Sequence, residues 1–227
     1  MKPEIVLALD VGSLKEAGHF VNLLYPQIKF FKVGSQLFTS CGPKAVNFIQ
    51  HKGAEVFLDL KFFDIPHTVS EAVKQAARLK VKMLTLHILG GEKMIKEAVS
   101  ACQEESKRLK IPRPLLIGVT VLTSQKTTPR QVLTLAKQGI KWGLDGVVCS
   151  VWEAEFLRKN IAKKFILVTP GIRPLGSFFH DQKRVATVLD AVKVGSNFLV
   201  VGRPILEAEK PLEVAEKMKG ELDGRRN

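Results

Sequence analysis

The chain has 227 residues, of which 45% are hydrophobic and 25% charged. These are the proportions of a globular protein with a large core, and they exclude a disordered, collagen-like or coiled-coil chain. Lysine and arginine number 35 against 22 aspartate and glutamate, a formal net charge of +13, which suits nucleic acid, anionic lipid or phosphorylated metabolites without choosing among them.

The basic residues are scattered, and only Arg225-Arg226 forms even a short terminal cluster. A uniformly basic, solvated surface is therefore the plain alternative to a binding patch. No apolar run approaches the roughly 20 residues that a bilayer needs. Met1-Lys2-Pro3-Glu4 leads into an apolar stretch that ends at Asp10, too short for the core of a signal peptide, so no export signal is expected. Cysteine is sparse and odd in number (Cys41, Cys102, Cys149) with no C-x-x-C pair. That argues against a disulfide framework or a zinc site and for a reducing cytoplasm.

Short apolar runs recur along the chain, at residues 5–10, 30–34, 55–60, 83–88, 115–121, 146–150, 165–170 and 198–202. Most are continuous rather than alternating, the pattern of strands buried on both faces. Helical patterns lie between them. Leu14, Ala17, Val21 and Leu24 make one stripe, Val69, Ala72, Val73, Ala76 and Leu79 a second, and Met94, Ile95, Ala98, Ala101 and Cys102 a third. Thr128-Pro129 reads as an N-cap and first helical position, with Gly143 as a stop. Ser13-x-x-Glu16, Thr68-x-x-Glu71 and Ser150-x-x-Glu153 read as capping boxes, each just after a strand. Strands and helices in this alternation predict a (β/α)8 barrel as a single domain over residues 1–227. An open doubly wound sheet is the alternative that periodicity leaves standing.

In a barrel the chemistry sits where strands end. The first strand ends in Asp10, and the second carries Lys32 within Phe30-Phe31-Lys32-Val33-Gly34. The third ends in Asp59-Leu60-Lys61, the fourth in His87, the fifth near Thr120 and Thr123-Ser124. The seventh ends in Thr169-Pro170-Gly171-Ile172-Arg173-Pro174 and the eighth in Gly202-Arg203-Pro204. Lys32 is a charge inside an apolar strand, so it needs a partner or must lose its proton. Asp59 and Lys61 stand two apart and point to one face. Two lysines and two aspartates meeting at one mouth would form an alternating cluster that keeps a lysine as proton donor; a purely structural ion-pair network is the alternative. Arg173 and Arg203, beside Gly171 and Gly202, suit a phosphate, or are solvated arginines on turns. Thr68 serves equally as a helix N-cap. His19 and His51 read as surface residues, His87 as a packed histidine, Trp142 and Trp152 as packing residues, and Cys149 as a small core residue.

Asp59-Leu60-Lys61-Phe62-Phe63-Asp64-Ile65-Pro66-His67-Thr68 closely resembles the D-x-K-x-x-D-I-P-x-T signature of the orotidine 5′-phosphate decarboxylase family, in its bacterial branch. Ala8-Leu9-Asp10, Lys32-Val33-Gly34, residues 119–124, 144–150 and 169–174, Asp181-Gln182 and Val201-Gly202-Arg203-Pro204 follow in the family's order. The resemblance implies a homodimeric, cytoplasmic (β/α)8 enzyme that converts orotidine 5′-monophosphate to uridine 5′-monophosphate and CO2 with no cofactor or metal. It implies that Lys61 protonates C6, that Lys32 and Asp59 complete the charge array, and that Asp64, Ile65 and Thr68 reach the partner subunit's site. It further implies Asp10 at the ribose, Thr123 at the pyrimidine, and Arg173, Gln182, Gly202 and Arg203 at the phosphate. The loop after Gly171 and the segment after Thr123 would be the lids. Phe63 and His67 depart from the bacterial signature at variable slots, and residues 124–129 with the following helix look shorter than in many bacterial relatives, which bears on the lid.

Two other readings compete. A magnesium-dependent keto-gulonate-phosphate decarboxylase shares D-x-K-x-x-D, but Ile65-Pro66-x-Thr68 and Asp181-Gln182 favour the orotidine enzyme. A basic nucleic-acid-binding protein would need aromatic residues interleaved with the basic ones. One tyrosine and two tryptophans do not supply them, so no nucleic-acid partner is expected.

Overall fold

The computed structural model describes residues 2–122, 124–175 and 186–224. Thr123, Asp181, Gln182, Arg225 and Arg226 lie outside the described residues. The strands are β1 (Glu4–Ala8), β2 (Phe30–Gly34), β3 (Glu55–Phe62), β4 (Met83–His87), β5 (Leu115–Val119), β6 (Gly146–Val148), β7 (Ile166–Pro170), β8 (Ile172–Arg173), β9 (Ala186–Thr187) and β10 (Phe198–Val201). The helices are α1 (Leu14–Leu24), α2 (Ser35–Cys41), α3 (Pro43–His51), α4 (Pro66–Arg78), α5 (Gly91–Leu109), α6 (Pro129–Lys141), α7 (Val151–Asn160), α8 (Val188–Lys193), α9 (Arg203–Leu206) and α10 (Pro211–Leu222). A 3-10 turn, Ile88–Gly90, joins β4 to α5.

Strands β1, β2, β3, β4, β5, β6, β7 and β10 pair in parallel and close into a barrel in the order β1-β10-β7-β6-β5-β4-β3-β2. This is the (β/α)8 barrel, and the open-sheet alternative falls. The short pair β8–β9, invisible in the periodicity, stands apart as its own two-stranded sheet.

Alternation along each strand divides the apolar residues into two cores. Val6, Ala8, Phe57, Met83, Ile117, Val168, Phe198 and Val200 fill the barrel interior. Ile5, Leu7, Phe31, Val33, Leu58, Leu84, Leu86 and Leu199 face outward beneath the helices. Both faces are covered, which is why the strands read as continuous apolar runs. Ala17, Val21 and Leu24 of α1, Val69, Val73 and Ala76 of α4, and Met94, Ile95, Ala98 and Cys102 of α5 complete the outer core, as the stripes predict.

The helix starts divide more finely. Thr128 caps α6 in a capping box with Gln131, and Ser13 accepts from the Glu16 N–H at 3.2 Å. At α7 the Glu153 carboxylate accepts from the Ser150 N–H at 2.8 Å. The box expected at Thr68 is not there. Pro66 occupies the first helical position with Ile65 as the cap, so α4 begins earlier and Thr68 lies within its first turn. Proline's fixed φ and missing N–H suit that position and set the start. Glu71, freed from capping, pairs with Lys74 at 2.7 Å. Trp152 is also corrected: it is 68% exposed on α7, whereas Trp142 packs against the outer core. Among the described residues no helix is long and apolar enough to cross a membrane.

One ion-pair group pins α4 to α5. Glu105, with only 5% of its surface exposed, accepts from Arg78 Nε at 2.6 Å and from Arg108 Nη2 and Nε at 2.6 and 2.9 Å. The hydrogen bonds from Arg108 and Arg78 hold its carboxyl down at about 2. The charged form is thus favoured in the folded chain. Its stabilisation is complete above the unfolded value, about 4.3, and fades as pH falls towards about 2. Glu105→Gln should lower the melting temperature at neutral pH and flatten its decline between those two values, as thermal melts across a pH series would show.

Candidate active site

The polar residues of the mouth form the next layer above the apolar plug. Period-two alternation carries Ala8 to Asp10, Phe30 to Lys32, Phe57 to Asp59 and Met83 to Thr85. Asp59 is the centre. Its Oδ2 lies 2.8 Å from Lys61 Nζ and 3.5 Å from Lys32 Nζ, and its Oδ1 accepts from the Thr85 hydroxyl at 2.9 Å. Lys32 reaches on to Asp10 Oδ1 at 3.0 Å. The chain of charges therefore runs Asp10–Lys32–Asp59–Lys61. Its middle is buried and its ends are open: the side chains of Lys32 and Asp59 are each 11% exposed, against 55% for Asp10 and 38% for Lys61.

Burial by itself would push the Asp59 carboxyl up. The charges of Lys32 and Lys61, with hydrogen bonds from Lys61 and Thr85, outweigh it and hold the group below the usual carboxylate range. Lys32 resolves its conflict with an apolar strand by pairing twice, with Asp10 and with Asp59. Gly34 makes room for this, because a side-chain carbon there would stand 3.0 Å from Lys32 Nζ.

The backbone at Lys61 is unusual. Its φ is +50°, in the left-handed region that costs a non-glycine residue about 1–2 kcal/mol. The β3–β4 register slips there, from Leu58 opposite Leu84 to Phe62 opposite Leu86. Thr85 holds the irregularity, since its Oγ1 accepts from the Lys61 N–H at 2.9 Å while its own proton goes to Asp59. One hydroxyl thus sets both the backbone that aims Lys61 and the carboxylate that anchors it. Strain of this kind gathers at functional positions.

Asp10, Lys32, Asp59 and Lys61 line a cavity of about 270 Å³ together with Arg173, Gly202 and Arg203. Below them Phe57, Val119, Val148, Val168 and Val200 make an apolar floor. The cavity thus joins the alternating carboxylates and ammonium groups to two arginines. Asp64, Ile65 and Thr68 do not join it; they lie exposed on the turn after β3 and the start of α4. Asp64 Oδ1 accepts from the Ile65 N–H at 2.6 Å. Thr120 turns away, donating to the Val148 carbonyl. His51 bonds the Asn47 carbonyl on the surface, and burial pushes the Cys149 thiol far up.

Thr85 was missed by the sequence reading. Its signal was present, as the one hydroxyl within the apolar run of β4, two residues before His87, but nothing in the run names its partner.

Among known proteins, residues 3–218 match the family model described as orotidine 5′-phosphate decarboxylase / HUMPS family. An orotidine 5′-phosphate decarboxylase of Actinobacillus succinogenes is 45% identical over 98% of this chain and 99% of its own length. That of Geotalea uraniireducens is 43% identical over 97% and 95%. The crystal structure of the Lactobacillus acidophilus orotidine 5′-phosphate decarboxylase superposes with a TM-score of 0.84 at 36% identity, covering 98% of this chain and all of that one.

Removing the central carboxylate would leave Lys32 buried with Asp10 alone. Asp59→Ala should destabilise the fold by about 3–5 kcal/mol at neutral pH. Asp59's contribution is complete above the unfolded value of about 3.9 and is lost as pH falls through its lower folded value. Urea unfolding of both proteins should therefore show the gap narrowing in acid.

Proposed function

The chain belongs to the orotidine 5′-phosphate decarboxylase / HUMPS family, and on that footing we propose that it converts orotidine 5′-monophosphate to uridine 5′-monophosphate and CO2, a step of pyrimidine biosynthesis. The observation that carries this reading is the Asp59 carboxylate shared between Lys32 and Lys61 at 3.5 and 2.8 Å above an apolar floor.

The chemistry needs such an arrangement. Cleavage of the bond between C6 and its carboxylate leaves the electron pair on C6, with no ring position to delocalise it. A site must stabilise that developing charge and deliver a proton to it. Lys61 does both in this proposal. Its ammonium faces C6 as CO2 departs, and its Nζ proton then passes to the carbon. Asp59 holds the lysine aimed beforehand, and Lys32 helps keep Asp59 ionised. Asp10, open to solvent, is assigned to the ribose hydroxyls. Arg173, Arg203 and the Gly202 backbone are assigned to the phosphate, with Gln182, and Thr123 to the pyrimidine. Phosphate binding far from C6 supplies energy that can order the site around the reacting carbon. The net charge of +13 favours the approach of a nucleotide anion.

We assign Asp64, Ile65 and Thr68 to the site of a second copy in a homodimer. Phe63 and Ile65 are 59% and 65% exposed beside Asp64, and Leu89 is 58% exposed. Large apolar residues at this exposure on a barrel rim mark a surface that gains by being covered.

An ultraviolet assay with orotidine 5′-monophosphate in EDTA tests the reaction. Wild-type protein should turn over rapidly, and Lys61→Ala should lose at least about a thousandfold in kcat/KM through loss of proton donor and charge together. Folded protein that leaves the nucleotide untouched, or that requires magnesium and a sugar phosphate, would refute the proposal. For the dimer, Ile65→Asp should shift the sedimentation coefficient from dimer to monomer and depress activity with it. Full activity in a monomer would remove Asp64, Ile65 and Thr68 from the mechanism.

A further inference from the structure

Among the described residues, His87 is a titratable group beside the mouth that the proposed reaction does not use. It ends β4 two residues beyond Thr85, so it lies on the same side of the strand as the hydroxyl that anchors Lys61 and Asp59. Its ring stands against the Phe63 ring, centroids 5.6 Å apart and planes tilted by 46°. It follows Leu86, which pairs with Phe62 across the register slip. The ring thus packs against the residue that follows β3, two positions beyond Lys61. Its Nδ1 is buried and has no hydrogen-bond partner among the described residues.

We infer that His87 is a positioning residue for Lys61, whose uncharged ring supports the bulge and whose protonation would set a third cation against the single carboxylate that Lys32 and Lys61 already share. The inference rests on the decarboxylase reading for its kinetic arm. Burial, then the nearby charge of Lys61, push the imidazole below its ordinary value, and Asp59 only partly opposes them. Asp64, on the turn after β3, follows the Phe63 that the ring packs against and is a further anion on that side. The 3-10 turn after it is Ile88, Leu89 and Gly90, and β5 sets Val119 opposite it. Lys126 and Arg130 share a separate hollow with Leu89 that His87 does not line. A charged His87 would therefore compete with Lys61 for Asp59 and push its ammonium out of line with C6.

The test follows the His87 ring protons by NMR from about pH 5 to 8 in wild-type protein and in Lys61→Met, with His87→Gln identifying the resonance. His87 should titrate below the free-histidine value in the wild type. It should move up by about half a unit to one unit in Lys61→Met, because a cation has been removed. In parallel, kcat at saturating orotidine 5′-monophosphate should fall about tenfold per unit below the His87 value in the wild type. His87→Gln should run flat through that window at a lowered kcat, because the support of the ring is lost together with its charge. Ionisation of the substrate phosphate is common to both proteins and cancels in the comparison. A wild-type acid limb that persists in His87→Gln, or a His87 titration unmoved by Lys61→Met, overturns the inference. If the wild type does not decarboxylate the nucleotide, the functional reading falls alone and the NMR shift still decides this one. If His87→Gln does not fold, the same shift, read on the remaining two proteins, decides it.

Discussion

A single carboxylate held between two lysines above a dry barrel is the constraint on which this molecule turns. Asp59 is buried, and so is Lys32; neither ion is tolerable there without the other. Their pairing makes Lys61 the free end of a chain of charges, oriented by Asp59 but still 38% exposed to the cavity. The rest of the architecture supplies what that pairing requires. The apolar plug keeps water from beneath it, β2 brings Lys32 alongside, and Thr85 crosses from β4 to hold both the carboxylate and the strained backbone of Lys61.

The arrangement also separates tasks along the barrel. Charge and strain concentrate on β1 to β4, where Asp10, Lys32, Asp59, Lys61 and Thr85 stand. The arginines and the glycine that allows close approach come from β8 and the end of β10, which pairs with β1 and brings Gly202 beside Asp10. In the proposed reaction, binding energy collected at the phosphate end lowers the barrier at the reacting carbon. The cost is local. A left-handed lysine and buried ions weaken the mouth, while the outer core and the Glu105 pairs that tie α4 to α5 sit elsewhere and hold the frame.

Much of this was legible. Continuous apolar strands alternating with amphipathic helices specify a parallel sheet buried on both faces, and the strand ends name Asp10, Lys32, Asp59, Lys61, Arg173 and Arg203. The misreadings share a cause. Thr68 and Pro66 both signal a helix start, and local pattern does not rank them; the chain's exit from β3 makes proline the first helical residue. Trp152 is large and apolar, but which side of α7 faces the barrel depends on its neighbours, and that side is not Trp152's. Thr85 is one hydroxyl in an apolar strand, and its meaning comes from Asp59, 26 residues away in the chain.

Period and spacing determined a parallel sheet buried on both faces, its amphipathic helices and the charged residues at its strand ends, because these are local properties of a chain. Closure of the sheet decided the rest. Only a closed barrel brings residue 10 beside 32, 32 beside 59 and 59 beside 85, and only that packing makes a lone lysine in an apolar run a paired ion instead of an error. The strained backbone at Lys61 and the unpartnered nitrogen of His87 belong to the same class. Each depends on what lies across from it in the barrel, and neighbours along one strand carry no trace of that.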